Sequence, residues 1–169
     1  KEISSTHTYA KEIAHEEEKN GKMILAETQT NGIGTKGRTW YTGENKNIAM
    51  TIILKPRCTI QQLEGLSKKV AECMQKAIRE VYDITLEMKE PNDLMLNNKK
   101  ICGILTEMNT ISEKINYVLI SVGFNVNEDT FSEETEKIAT SLKREYGNEF
   151  SREDIIKRFI EILEKEIEL

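Results

Sequence analysis

The 169-residue sequence predicts an α+β fold: a largely antiparallel, mixed sheet flanked by helices. Two observations predict it. Apolar or alternating runs that suit strands (Met23 to Ala26, Ile48 to Lys55, Ile84 to Met88, Leu94 to Leu96, Ile101 to Leu105, Ile115 to Gly123) are joined mostly by short polar turns. Amphipathic helical patterns fall among them without the regular β-α-β alternation of a parallel sheet.

Bulk properties set the outer limits. Hydrophobic residues make up 38% and charged residues 31%, which suits one globular domain able to bury a core and excludes disorder as the default. The net charge of −5, with no basic patch standing out, argues against nonspecific nucleic-acid binding. No apolar run reaches the ~20 residues that a membrane span needs, and the first residues carry no signal-peptide pattern. Three cysteines, Cys58, Cys73 and Cys102, are scattered away from metal-ligand spacing, and there are only two histidines. A zinc site is not expected, and the compartment reads as reducing and cytoplasmic.

Taken in order, the first element is a helix. Tyr9, Ala10, Ile13 and Ala14 form an apolar stripe, with Ser5 or Thr6 as N-cap and Asn20-Gly21 as the stop. The strand Met23 to Ala26 then leads into Glu27 to Tyr41, which holds Gly32, Gly34 and Gly37, the cations Lys36 and Arg38, and the single tryptophan, Trp40. Glycines let a backbone approach a ligand closely, and exposed N–H groups there suit an anion. The spacing satisfies G-x-G-x-x-G, yet a dinucleotide fingerprint needs a helix directly after it. Arg38-Thr-Trp-Tyr-Thr-Gly and another β-rich run follow instead, so this is a glycine-rich cationic loop between strands.

The polar turn from Thr42 to Asn47 precedes the strand Ile48 to Lys55, which Pro56 ends. Gln61 to Val81 carries Leu63, Leu66, Val70, Met74, Ala77 and Val81 at helical spacing. The alternating run Ile84 to Met88 reads as a half-buried strand. Leu94-Met-Leu and Lys99 to Glu107 flank Asn97-Asn98, a hairpin turn, because asparagine tolerates the left-handed region. Ile115 to Gly123 is a buried strand running into Phe124-Asn125-Val126-Asn127. Glu133 to Tyr146 reads as one helix stopped by Gly147. Ser151-x-x-Asp154 reads as a capping box opening a last helix with Ile155, Phe159, Ile162 and Leu163 on its apolar edge.

Several of these polar groups resemble those of a known family. Gln29-x-x-Gly32-x-Gly34-x-x-Gly37-Arg38-x-Trp40 is similar to the ligand loop of biotin protein ligases, Gln-x-x-Gly-Arg-Gly-Arg-x-Gly-Arg-x-Trp, with Ile33 and Thr35 in place of two arginines. Lys89-Glu90-Pro91-Asn92-Asp93-Leu94, a hairpin, then Lys100-Ile101-Cys102-Gly103-Ile104-Leu105-Thr106-Glu107 resembles the family's Lys-Trp-Pro-Asn-Asp-(Leu/Ile) and Lys-(Leu/Ile)-x-Gly-Ile-Leu-x-Glu, with Glu90 for the tryptophan. Ser5-Thr6-His7 stands where the family has Ser-Thr-Asn, and Gly123-Phe124-Asn125-Val126-Asn127 resembles its Gly-Ile-Asn-x-Asn. The resemblance runs over nearly the whole chain.

It implies a catalytic domain over residues 1–169, similar to the biotin/lipoate ligase and class II aminoacyl-tRNA synthetase-like fold, with neither an N-terminal DNA-binding domain nor a C-terminal β-barrel in this chain. The implied activity is ATP-dependent activation of biotin as biotinyl-5′-adenylate, then transfer to a lysine of a biotin carboxyl carrier domain. ATP, Mg²⁺ and biotin are the implied ligands, no nucleic acid or membrane is a partner, and homodimerisation is left open. The resemblance assigns biotin to Ser5, Thr6, Gln29, Gly32, Lys100 and Gly103, with Gly123 leaving room for the ring. It assigns the adenylate to Gly34, Lys36, Gly37, Arg38, Trp40, Lys89, Asn92 and Asn125. Catalysis falls to Lys100, Arg38 and Asp93, with Asp93 also the candidate Mg²⁺ ligand. Other readings are a lipoate or octanoate ligase, whose Arg-Arg-x-x-Gly-Gly-Gly type of loop is absent, a non-catalytic biotin or adenylate sensor, and a ligand-free structural domain.

Overall fold

The computed structural model describes residues 2–35 and 39–167; Lys36, Gly37 and Arg38, all assigned to the site above, lie outside the described residues. Strands β1 (Glu2–Ile3), β3 (Thr28–Ile33) and β4 (Thr39–Thr42) form a small mixed sheet in the order β1-β3-β4. The large sheet runs β2 (Met23–Ala26), β5 (Ile48–Leu54), β9 (Lys114–Phe124), β8 (Lys99–Ile111), β7 (Asp93–Leu96) and β6 (Glu87–Lys89), with every neighbouring pair antiparallel. The α+β class with a largely antiparallel sheet is therefore the fold.

The two faces of the large sheet differ because strand side chains alternate sides. Ile48, Met50 and Ile52 on β5, Val118, Ile120, Val122 and Phe124 on β9, and Cys102 and Ile104 on β8 pack on one face. Helices α2 (Leu66–Tyr82) and α5 (Arg152–Glu166) cover them through Val70, Met74, Ile78, Ile155 and Phe159. The other face carries Thr51, Ser121, Gly123, Gly103 and Glu107. Its apolar end is a smaller cluster of Ala10, Ala14, Ile24, Ile53, Tyr117 and Leu119 under helix α1 (Thr6–Ile13).

Local structure departs from the sequence reading in places that matter. Helix α1 stops at Ile13, and a 3-10 turn, Glu17–Lys19, fills the stretch before Asn20-Gly21. Residues 133–146 split into α3 (Glu133–Glu136) and α4 (Leu142–Tyr146). The break is a backbone clamp: Lys100 N donates to Ile138 O at 2.8 Å and Thr140 N to Lys100 O at 2.9 Å. Those bonds offset the helical ones given up. The second amphipathic helix starts at Leu66, after a 3-10 turn at Ile60–Leu63 and Gly65 at φ +74°. The following strand sits at Glu87–Lys89 rather than 84–88. Ser151 caps α5 by accepting from Asp154 N, which is one arm of the expected box; both arms are present at Thr59 and Gln62 instead. Asn97 and Asn98 have φ of 51° and 61°, as the hairpin requires.

Candidate functional site

The site lies where the small sheet and the start of α1 meet the polar face of the large sheet. Ser5 caps α1, its hydroxyl accepting from Thr8 N at 3.4 Å, which aims the first turn at β3. Thr6 donates to Gln29 Oε1 from its amide at 2.8 Å and from its hydroxyl at 3.1 Å. Gln29 Nε2 donates in turn to Thr42 Oγ1 at 3.3 Å. Behind Thr6 stand residues that the sequence reading did not assign to the site. Thr51 Oγ1 is 2.9 Å from Thr6 Oγ1 and 2.8 Å from Ser121 Oγ. Ser121 Oγ is 2.9 Å from His7 Nδ1, and His7 Nε2 is 3.0 Å from Glu107 Oε2. Lys11 completes the row, 2.6 Å from Glu107 Oε1. Burial alone would push the Glu107 carboxyl up, but hydrogen bonds from Lys11 and His7 outweigh it and hold the group below the usual glutamate range. The signal available for this row was strand alternation, which puts Thr51, Ser121 and Glu107 on one face. It identified the face but not the contact with α1.

Two adjoining cavities open here. The first, about 30 Å³, is lined by Ser5, Thr6, His7, Gln29, Gly34, Asn92, Lys100, Gly103, Ser121 and Gly123 among others. The second, about 180 Å³, is lined by Gly34, Thr35, Thr39, Asn125, Phe131, Thr135, Ile138 and Ala139. Trp40 and Lys100 line both. Lys100 Nζ is 2.7 Å from Asp93 Oδ1 and 5.5 Å from the centre of the Trp40 ring. The Asp93–Gly103–Gly123 row explains the closeness, since β7 pairs Asp93 with Gly103 and β8 pairs Gly103 with Gly123. Phe131 and Ile138 are apolar walls that the sequence reading missed, because they sit on the segment it read as helix or loop.

Other assigned residues are placed differently from expectation. The room above Gly103 and Gly123 is filled by the Trp40 indole: a Cβ on Gly123 would meet Trp40 Cε2 at 2.4 Å, and one on Gly103 would meet Cζ3 at 3.2 Å. Trp40 Nε1 is buried there with no hydrogen-bond partner among the described residues. Gly32 lines neither cavity; it serves the hairpin, where a Cβ would strike Trp40 O at 2.3 Å. Lys89 is exposed on β6 and lines neither cavity. The side-chain amides of Asn92 and Asn125 are engaged, donating to Ile104 O at 2.8 Å and Thr140 O at 3.1 Å. Among the described residues no group of three or more His, Cys, Asp or Glu side chains could hold a metal ion, and Asp93 is paired with Lys100.

The profile of the Biotin/lipoate A/B protein ligase family matches residues 1–125. The chain is 35% identical over 165 residues to the bifunctional ligase/repressor BirA of Bacillus spizizenii, covering 96% of this chain and 51% of that protein. It is 29% identical over 157 residues to the human biotin–protein ligase, covering 86% of this chain and 21% of the human one. The chain thus spans about half the length, or less, of these curated relatives. Its fold superposes on the Aquifex aeolicus biotin protein ligase in complex with biotin and ATP with a TM-score of 0.79 at 27% identity, covering 98% of this chain and 68% of that one. The profile match alone covers well over half of the residues, and the chain belongs to the biotin/lipoate A/B protein ligase family.

Proposed function

We propose that this chain catalyses ATP-dependent biotinylation: biotin and ATP give biotinyl-5′-adenylate and pyrophosphate, and the acyl group then passes to a lysine of a biotin carboxyl carrier domain with release of AMP. The observation that carries this reading is the shared wall of the two cavities. Lys100 lies between a polar chamber floored by Thr6, Gln29 and Ser121 and a roomier chamber walled by Phe131 and Ile138. A cyclic urea needs hydrogen-bonding groups in the first chamber, and a purine suits apolar and aromatic walls in the second. The carboxylate and α-phosphate then meet beside the ammonium, which stabilises the charge they share as the acyl–phosphate bond forms. The Aquifex relative that holds biotin and ATP together supports the same pairing of ligands.

Trp40 and Lys100 serve both chambers in this reading. Biotin lifts the indole from Gly103 and Gly123, because a first chamber of about 30 Å³ holds little more than a water molecule. Lys36 and Arg38, in the cationic part of the loop, contribute charge toward the phosphates. Asp93 is the carboxylate that would hold Mg²⁺ together with substrate phosphates, an arrangement common for this ion, and the bound ion would offset phosphate charge. The proposed setting is the cytoplasm, with a carrier domain as partner and no membrane or nucleic acid.

A lipoate-type substrate is disfavoured by the first chamber, since a dithiolane offers no N–H or C=O to the lone pairs and the second Gln29 N–H that the row leaves over. A non-catalytic sensor is disfavoured by the Lys100–Asp93 pair at the junction. Pyrophosphate–ATP exchange is the test. Exchange that needs biotin supports the enzyme, while its absence with biotin and Mg·ATP both present overturns that reading. Biotin binding without exchange would identify a sensor.

A further inference from the structure

We infer that His7 is a positioning residue held as an imidazolium, which orients the hydroxyl of Ser121 and, through Thr51, that of Thr6, so that Ser121 and Thr6 offer the first chamber only acceptor lone pairs, matched to the N–H groups of a cyclic urea. The inference rests on the proposed biotin reading for its ligand and on hydrogen-bond counting for its charge. The counting starts at the far end of the row. The Thr6 amide can only donate, so the Gln29 atom 2.8 Å away is the carbonyl oxygen. The Thr6 hydroxyl, 3.1 Å from that oxygen, therefore donates to it as well. Its single proton is then spent, and at 2.9 Å Thr51 must donate to Thr6.

The same step repeats along the row. Ser121 must donate to Thr51 at 2.8 Å, which leaves Ser121 Oγ an acceptor toward His7 Nδ1 at 2.9 Å. His7 Nδ1 therefore carries a proton. On the other side, His7 Nε2 is 3.0 Å from Glu107 Oε2. The same carboxylate takes an ion pair from Lys11 at 2.6 Å, so it is ionised and an acceptor on both oxygens. His7 Nε2 carries a proton too. A neutral ring has one N–H for two contacts that each need a donor, and would leave one of them without a proton.

Burying a cation is costly unless it is paired and hydrogen-bonded. His7 is 5% exposed. Its ring meets a carboxylate on one side and a hydroxyl on the other, both charge-assisted bonds. The titratable groups around it are Glu107 and Lys11. The Lys11 ammonium shares the same carboxylate, but its side chain is about half exposed and water screens it.

The consequence falls on the ligand. Thr6, His7 and Ser121 all line the first chamber, and each hydroxyl there has its proton committed along the row. What remains toward a ligand is lone pairs. Donors remain at the Ser5 hydroxyl and the second N–H of Gln29 Nε2, which line the same chamber. A chamber that offers both acceptors and donors suits a group that has N–H and C=O in one ring. Without an N–H at its back, Ser121 is free to turn its own proton into the chamber, donor against donor.

Two measurements on the whole chain test this. With only His7 and His15 in the chain, ¹⁵N-histidine labelling gives a simple spectrum, assigned by its difference from His7→Asn. At neutral pH both His7 nitrogens should show the shifts of protonated imidazolium nitrogens; one nitrogen with a free lone pair would overturn the inference. Calorimetry with biotin, and separately with Mg·ATP, then follows wild type, His7→Asn and His7→Leu. The asparagine amide can donate to Ser121 from nearly the same place, so biotin should bind within about threefold of wild type. His7→Leu should weaken biotin by tenfold or more while ATP affinity stays within about twofold. Equal losses for both ligands, or equal losses in the two variants, would reduce His7 to a packing role. If wild type binds no biotin, the proposed function fails. If wild type binds biotin and His7→Leu binds it equally well, only the role of His7 fails.

Discussion

Gly123→Ala would test directly whether the indole of Trp40 is seated on the two paired glycines. The new Cβ would lie 2.4 Å from Trp40 Cε2, 2.6 Å from Nε1 and 2.8 Å from Cδ2, whereas ordinary contacts begin at 3.4 Å. The ring must therefore retreat by about 1 Å. The backbone on the other side cannot yield instead, because β9 is paired through Gly123 with β5 and with β8. Overpacking of this kind typically costs ~1–3 kcal/mol. If the methyl also takes space that the biotin ring needs, a loss of that size corresponds to roughly five- to 140-fold weaker binding at ~1.4 kcal/mol per tenfold. Trp40 is the sole tryptophan, so intrinsic fluorescence reports on this ring without interference from another indole. The substitution should shift the emission maximum to the red as the buried indole moves toward water, and a titration should show weaker biotin binding. Biotin itself should alter the emission of wild type. An alanine variant with wild-type emission and wild-type affinity would refute the seating of the indole and the reasoning built on it.

Lys100→Ala removes the ammonium shared by the chambers and should slow adenylation by ~10²-fold or more, as loss of one electrostatic stabiliser does, with biotin binding weakened less; unchanged pyrophosphate exchange would make Lys100 the mere partner of Asp93. Thr35→Arg adds a charged donor beside both chambers, and charge-assisted bonds are worth ~1.5–3 kcal/mol. Release of the adenylate should slow about tenfold or more, with less labelling of bystander lysines, and off-rates equal within twofold would show that the residues at 33 and 35 do not govern retention. Glu107 titrates below its ordinary value in the folded protein. Its contribution to stability is complete above the unfolded value and is lost as pH falls through the lower folded one. The melting temperature of Glu107→Gln should therefore converge on that of wild type below about pH 4.5, and a constant gap across acid pH would contradict the linkage.

Individual elements show how far the sequence could be read. The strand Ile48–Leu54, helix α5 and the Asn97-Asn98 hairpin were legible because each is settled by local periodicity or by residues that tolerate φ > 0. Residues 133–146 were not. Their helical pattern is continuous, and it is broken by backbone bonds to other parts of the chain, from Lys100 to Ile138 and Thr140 and from Asn125 and Val126 to Leu142 and Lys143. Asn125 and Asn92 were legible as polar candidates and do line the cavities, but the direction of their amides depends on the carbonyls of Thr140 and Ile104.

By itself the sequence determined the strand and helix pattern, the lone indole, and the polar motifs that gather on the site, since these follow from residue type and spacing. Tertiary structure alone decided that Trp40 covers the paired glycines, that Lys100 answers to Asp93, and that His7 closes a row of hydroxyls leading to Gln29. Each of these joins residues from different elements. Their meeting depends on strand register and on the seating of α1 against the sheet, which no local pattern encodes.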